Sequence, residues 1–336
     1  MTTSTGVSFP SYDNTVTLSG TITSPRGTDL RPAVVIVVGS GAIDRDGSAG
    51  SIRLHVYSKL AEFFTNELGW ICLRYDKRGV AKSVNGDSNL FLTSGMSDLA
   101  LDVVEATKFL LAQPRVDSTK LVLTGHSEGA IIMPLVAQHL RDQGVTTPLG
   151  LLLLSGFGES IETAMRFQSE ELWDEIVNGR TITTWLLRRL LTPKKLQDKI
   201  DDLKVKVNTT QSDLIVKKCG LVKIPAKWFR EHFAFNLSRI RELSASVTSH
   251  VLVITGAKDA QTRATHCTRE DASVVFVGAA SVTSCIPSQM THHLRPMDGT
   301  PSLFSLMQEY KKTANNPLDA ELAKAITDWA NSIQKC

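Results

Sequence analysis

Ser127 lies in the pentad Gly125-His126-Ser127-Glu128-Gly129, directly after the apolar run LVLT and directly before AIIMPLVAQHL. A G-x-S-x-G pentad between a strand and a helix has the sequence of a nucleophile elbow. The sharp turn holds the serine in a strained conformation with its hydroxyl exposed, and Gly125 and Gly129 leave room for that turn. At the N-terminus of the helix that follows, the Glu128 N–H can stabilise an oxyanion developing on a substrate carbonyl. A nucleophilic serine needs a base, and the base needs an orienting acid. Asp259, in Gly256-Ala257-Lys258-Asp259, follows the strand run VLVIT; His292 and His293 arrive 33 residues later in QMTHHLRP, which leaves room for one more helix–strand unit. The order Ser, Asp, His is the one that strand–turn–helix serine enzymes use. One of the two histidines is therefore the expected base, and spacing alone leaves both open. The chemistry implied is attack on an ester-type carbonyl through an acyl-enzyme, releasing an acid and an alcohol or thiol, with no metal and no cofactor. Adjacent histidines project poorly for joint chelation, and His266 and Cys267 are the nearest further ligands, so a metal site is not expected.

These residues need a scaffold that brings distant loops to one edge. PAVVIVVGSG, GWICLRYDKRG, TKLVLTGHSEGA, PLGLLLLSGFG and HVLVITG are apolar strand runs ending in loops, several of them separated by helical stretches such as 52–68 and 97–113. Alternation of this kind predicts a doubly wound, mostly parallel α/β sheet, whose chemistry gathers at the C-terminal ends of the strands. VSFPSYDNTVTLSGTITSP reads as an N-terminal antiparallel hairpin. A further strand is expected in SVTSCIP and a closing amphipathic helix at 318–334. Alternation fails between about 159 and 245, a polar helical stretch carrying Trp173, Trp185 and Trp228. We read residues 1–158 and 246–336 as the two parts of one core and 159–245 as a helical cap inserted over its active edge. Residues 263–280 give no clear element: their VVFV fits a short strand or a turn of helix equally.

Composition sets the remaining bounds. With 336 residues, 42% hydrophobic and 21% charged, the chain reads as a soluble globular protein, and its net charge of +3 gives no reason to expect a nucleic-acid partner. Its first residues show neither a basic n-region nor an apolar h-region, and the longest apolar run, LGLLLLSGF, is about half a bilayer span. Five cysteines, Cys72, Cys219, Cys267, Cys285 and Cys336, form no C-x-x-C pair, so a reducing, cytoplasmic setting is expected. Charge is unevenly spread. From Trp185 to Arg230 there are twelve Lys or Arg against four Asp, so the cap is basic. A basic cap fits a solvated surface, a steering field for an anionic ester or thioester such as an acyl-CoA, or, through WLLRRLL, an amphipathic face touching lipid.

LSGTITSP, VVGSGAIDRDG, LRYDKRGVAKS, TGHSEGA, WFREHFAFN, ITGAKDAQT and THHLRP, in this order along nearly the whole chain, resemble α/β-hydrolase carboxylesterases close to the dienelactone hydrolase and prolyl oligopeptidase relatives. The resemblance implies the α/β-hydrolase fold and a small-molecule ester or thioester substrate. Its T-H-x-L-R register places the base at His292, with His293 in the variable position. The glycine loop Val38-Gly39-Ser40-Gly41 would supply a second oxyanion donor, the N–H of Ser40 or Gly41, while Asp44-Arg45-Asp46, Asp76 and Arg78 would scaffold the surrounding loops. A thioesterase, lactonase or acyltransferase would use the same triad, and a catalytically silent binding scaffold is the alternative outside enzymes.

Overall fold

The computed structural model describes residues 2–217 and 221–334; Cys219 and Cys336, and Lys218 of the basic stretch, lie outside the described residues. Ten strands are described: β1 (Thr2–Pro10), β2 (Thr17–Pro25), β3 (Arg31–Val37), β4 (Ile71–Tyr75), β5 (Val116–His126), β6 (Gly150–Leu154), β7 (Leu214–Lys217), β8 (Val222–Pro225), β9 (His250–Ile254) and β10 (Ser281–Cys285). Eight of them form one sheet in the order β1-β2-β4-β3-β5-β6-β9-β10. β1 and β2 are the antiparallel hairpin, β2 joins β4 antiparallel, and every pairing from β4 to β10 is parallel. Among the described residues the helices are α1 (Val56–Asn66), α2 (Leu90–Thr93), α3 (Met96–Leu111), α4 (Glu128–Ile131), α5 (Met133–Asp142), α6 (Ile161–Asn178), α7 (Ile182–Leu190), α8 (Pro193–Asn208), α9 (Ala226–Ala234), α10 (Leu237–Ala245), α11 (Arg269–Val275), α12 (Leu306–Thr313) and α13 (Ala320–Ile333).

Side chains of a strand alternate faces, so a run that is apolar throughout must be covered on both. Val35, Leu123, Leu151 and Val253 join α3, α5 and α10 in one core. Their neighbours Val34, Val122, Leu152 and Leu252 join α1 and α13 in the other. The edge strand β10 carries the expected SVTSC, and the segment 263–280 resolves as α11, capped by the Thr268 hydroxyl accepting from the Asp271 N–H.

Between β6 and α10 the chain forms α6 to α8, the antiparallel pair β7–β8, and α9, around a small core of Val207, Ala226 and Phe233. The hairpin is absent from the helical pattern read in the sequence, because its residues are mostly exposed or half-buried and give no apolar strand run. α10 packs instead on the main core through Ile240 and Leu243. α12, which follows the histidine loop and sets Tyr310 in the second core, is also absent from the sequence reading. Among the described residues no helix is long and apolar enough to cross a membrane.

Candidate active site

Ser127 follows β5 in the middle of the sheet, with φ 54° and ψ −121°, a left-handed conformation that is strained for any residue but glycine. Two close approaches make the turn possible. A Cβ on Gly125 would stand 2.3 Å from the Gly129 carbonyl oxygen, and one on Gly129 would stand 2.4 Å from that of Val37. Only glycine fits either position, which is the physical content of the G-x-S-x-G spacing.

Asp259 follows β9, and the loop after β10 returns His292 to it. The His292 Nδ1 lies 2.8 Å from Asp259 Oδ2 and 3.0 Å from Oδ1, and both residues are buried. Asp259 also accepts the N–H groups of Gln261 and Thr262 and the Thr262 hydroxyl. Burial pushes its carboxyl up, but the His292 ring and these donors outweigh burial and hold it below the usual carboxylate range. His293 makes no such pair. Its ring stacks on Tyr310 at a centroid distance of 3.4 Å, its Nδ1 has no hydrogen-bond partner, and burial, then the neighbouring His292, push it well below the ordinary imidazole range. His266 and Cys267 stand apart from the histidine pair: His266 Nδ1 faces Glu159 Oε1 at 3.5 Å, and Cys267 is buried with its thiol near the Cys285 carbonyl.

Ser127, His292 and His293 line one cavity of about 210 Å³, together with Ser40 of the glycine loop and the apolar side chains of Ile43, Ile52, Leu54 and Met307. Gly41, at φ 88°, makes the turn beside it. Gly39, ahead of Ser40, is held on both sides: its N–H donates to Tyr57 Oη at 2.8 Å and its carbonyl accepts from Lys77 Nζ at 2.7 Å. In a trans peptide the Ser40 N–H then points away from Lys77. Asp44-Arg45-Asp46 brace the same loop. Arg45 makes a two-pronged bond to Asp76, Arg74 pairs with Asp46, and Arg78 makes a second two-pronged bond to Asp102.

The two residues flanking Ser127 carry contacts that sequence reasoning missed. His126 Nε2 is 2.8 Å from the His292 carbonyl, which can only accept, so the proton sits on Nε2 and Tyr57 Oη donates to Nδ1 at 2.9 Å. A chain of hydrogen bonds thus joins the glycine loop, through Tyr57 and His126, to the backbone of the histidine loop. On the other side, Glu128 is buried and accepts from Trp228 Nε1 at 2.5 Å and His232 Nε2 at 2.8 Å, both on α9, with Lys77 Nζ at 3.8 Å. Burial pushes its carboxyl up, but Lys77, His232 and Trp228 outweigh burial and pull it down to about 2. The one signal for Glu128 in the sequence was a charged residue between Ser127 and Gly129, at the start of an otherwise apolar helix.

The buried neutral histidines His126 and His293 are expected to make the fold acid-sensitive. Burial, then the nearby His292, pull His126 down to about 3 from an ordinary 6.5. Between those values the unfolded chain holds the extra proton, so the stability is complete above about pH 6.5 and is lost as pH falls toward 3. At pH 5 the loss from His126 alone is about 2 kcal/mol, and His293 adds in the same sense. The melting temperature is therefore expected to fall by several degrees between pH 7.5 and pH 5, and His126→Gln to flatten that slope. A melting temperature constant over this interval contradicts the buried neutral assignment.

A parallel sheet with one antiparallel edge, a serine elbow after the central strand, and an acid and a histidine on the loops after later strands define the α/β-hydrolase fold, and this chain has it. Solved structures similar to it over nearly their whole length include the α/β hydrolase GrgF from Penicillium sp. sh18 (TM-score 0.56, 14% identity, 99% of this chain and 100% of that one). DcsB, solved in complex with its substrate analogue, has a TM-score of 0.59 at 14% identity, covering 98% and 99% of the two chains. Est1E from Butyrivibrio proteoclasticus has a TM-score of 0.53 at 14% identity, covering 96% and 99%. By sequence the chain is 34% identical over 139 residues to Esterase EstD of Thermotoga maritima; the match takes in 41% of this chain and 32% of that protein, so the chain spans about a third of the relative's length. No protein-family profile matches the chain.

Proposed function

We propose that the protein is a serine carboxylesterase for small, neutral, apolar esters. The observation that carries the reading is the meeting, in one cavity, of a strained serine at the elbow with a buried histidine bonded to a buried aspartate. The partial likeness to Esterase EstD supports the same activity. Ser127 attacks the ester carbonyl while His292 Nε2 takes its proton, and Asp259, at Nδ1, fixes the tautomer and balances the imidazolium. The N–H groups of Ser40 and Glu128 receive the oxyanion. His292 returns its proton to the leaving alkoxide, and water then releases the acid by the same steps in reverse order.

Substrate size and charge follow from the cavity. Its volume lies below the roughly 300–1,000 Å³ of drug-sized sites, and its lining includes no Lys, Arg, Asp or Glu among the described residues. An anionic group inside it would find no cation, so the basic cap contributes nothing to local recognition. On a panel of p-nitrophenyl esters we expect kcat/KM to be highest for short acyl chains and to fall by roughly tenfold or more for long ones, and a carboxylated ester to be poorer than its neutral counterpart. Preference for long-chain or anionic esters, or for acyl-CoA, contradicts this reading of the cavity; absence of all turnover contradicts the esterase itself.

A further inference from the structure

α7 leaves its apolar face in water. Ile182 is 87% exposed, Leu190 56%, and Trp185 and Leu186 50% each. At positions i, i+3, i+4 and i+8 they share one side of the helix. The opposite side, with Thr184 buried and Leu187 half-buried, rests on α6. From Arg180 to Lys195 the chain carries five cations, Arg180, Arg188, Arg189, Lys194 and Lys195, all exposed, and no acidic residue; of these Lys194 pairs with Asp198 at 2.9 Å. Arg189 lies over the Trp185 ring at 4.1 Å, so its stem covers the apolar face while its charge stays at the rim.

We propose that this face of α7 docks the protein on an anionic lipid surface. Ile182, Trp185, Leu186 and Leu190 enter the acyl boundary, and the surrounding Arg and Lys meet the headgroups. Charge selects this occupant. A second copy would bring the same cations and repel, a neutral bilayer leaves them without partners, and a nucleic acid offers the four apolar side chains nothing to enter. The docked face is also tied to the cavity: Glu175, one turn before the end of α6, accepts from the Ser302 hydroxyl and the Leu303 N–H, just ahead of α12, whose Met307 lines the cavity. Apolar esters concentrate in bilayers, so docking would place the cap where such substrates are. The docking itself does not rest on the esterase reading.

The test is flotation of the whole protein with phosphatidylcholine vesicles, with and without a phosphatidylglycerol fraction. Wild type is expected to float with the anionic vesicles and to lose that binding in molar salt. Ile182→Ser/Leu186→Ser and Arg180→Gln/Arg189→Gln are each expected to lower the bound fraction by roughly tenfold. Their melting temperatures should equal that of wild type, since these side chains are exposed; Leu186→Ser alone serves if the double variant melts early. The proposal is overturned if anionic vesicles float no protein, if neutral vesicles float as much, or if the serine variants bind like wild type. Binding to tRNA or heparin that the serine variants retain, without vesicle binding, likewise overturns it.

Discussion

Ser127→Ala is expected to lower kcat on a short-chain p-nitrophenyl ester by roughly 10⁴-fold or more, leaving the fold intact. Ser127 stands at the elbow with a strained φ of 54° and lines the same cavity as His292, so loss of its oxygen would remove the proposed acyl-enzyme altogether. The cavity and the proposed oxyanion donors would remain and would supply the residual rate. His292→Ala should approach the same loss, because parts of one proton-transfer unit fail together and their effects do not add. His293→Ala should keep activity within about tenfold of wild type, because that ring stacks on Tyr310 and has no contact with Asp259. Steady-state kinetics on the three variants check all of this. A His293→Ala enzyme as inactive as His292→Ala would mean that the base has been assigned to the wrong ring.

Glu128→Ala is expected to cost about 3–5 kcal/mol of stability, more than any single exposed residue could. The side chain is 2% exposed and is the shared acceptor for Trp228 and His232 and the counter-charge of Lys77, which is itself buried. Its removal leaves a buried ammonium without an anion and two ring N–H donors without an acceptor. It also loosens α9 from the elbow and frees Lys77, which holds the Gly39 carbonyl, so kcat should fall along with stability. Glu128→Gln keeps one acceptor but not the charge and should fall between. The double variant Lys77→Met/Glu128→Leu should recover much of the lost stability but not the activity, because an apolar pair of similar volume removes the unpaired charge without restoring the bond to Gly39. Chemical denaturation of the four proteins measures this, and a Glu128→Ala change within about 1 kcal/mol would contradict the role given to the network.

The sheet was legible because physics writes it locally. AVVIV, LVL and VLVI, the centres of β3, β5 and β9, are apolar at every step, a pattern a strand keeps only when covered on both faces. The elbow was legible for the same reason, since the two glycines answer backbone contacts a few residues away or on the adjoining strand. Tyr57 and His126, by contrast, are 69 residues apart, and Trp228 is 100 residues from Glu128. No period or spacing announces such pairs. Nor does spacing separate His292 from His293: the fold distinguishes them by turning one ring to Asp259 and laying the other on Tyr310. The β7–β8 hairpin was invisible because its burial is partial and its pattern therefore weak.

Labelling with a fluorophosphonate, followed by mass mapping of the modified peptide, tests the central claim most directly, because the reagent bonds only to a serine activated by its neighbours. The account predicts one adduct, on Ser127, that Ser127→Ala abolishes, His292→Ala slows by orders of magnitude and His293→Ala leaves nearly unchanged. No adduct on the folded protein, or an adduct on another residue, would contradict it.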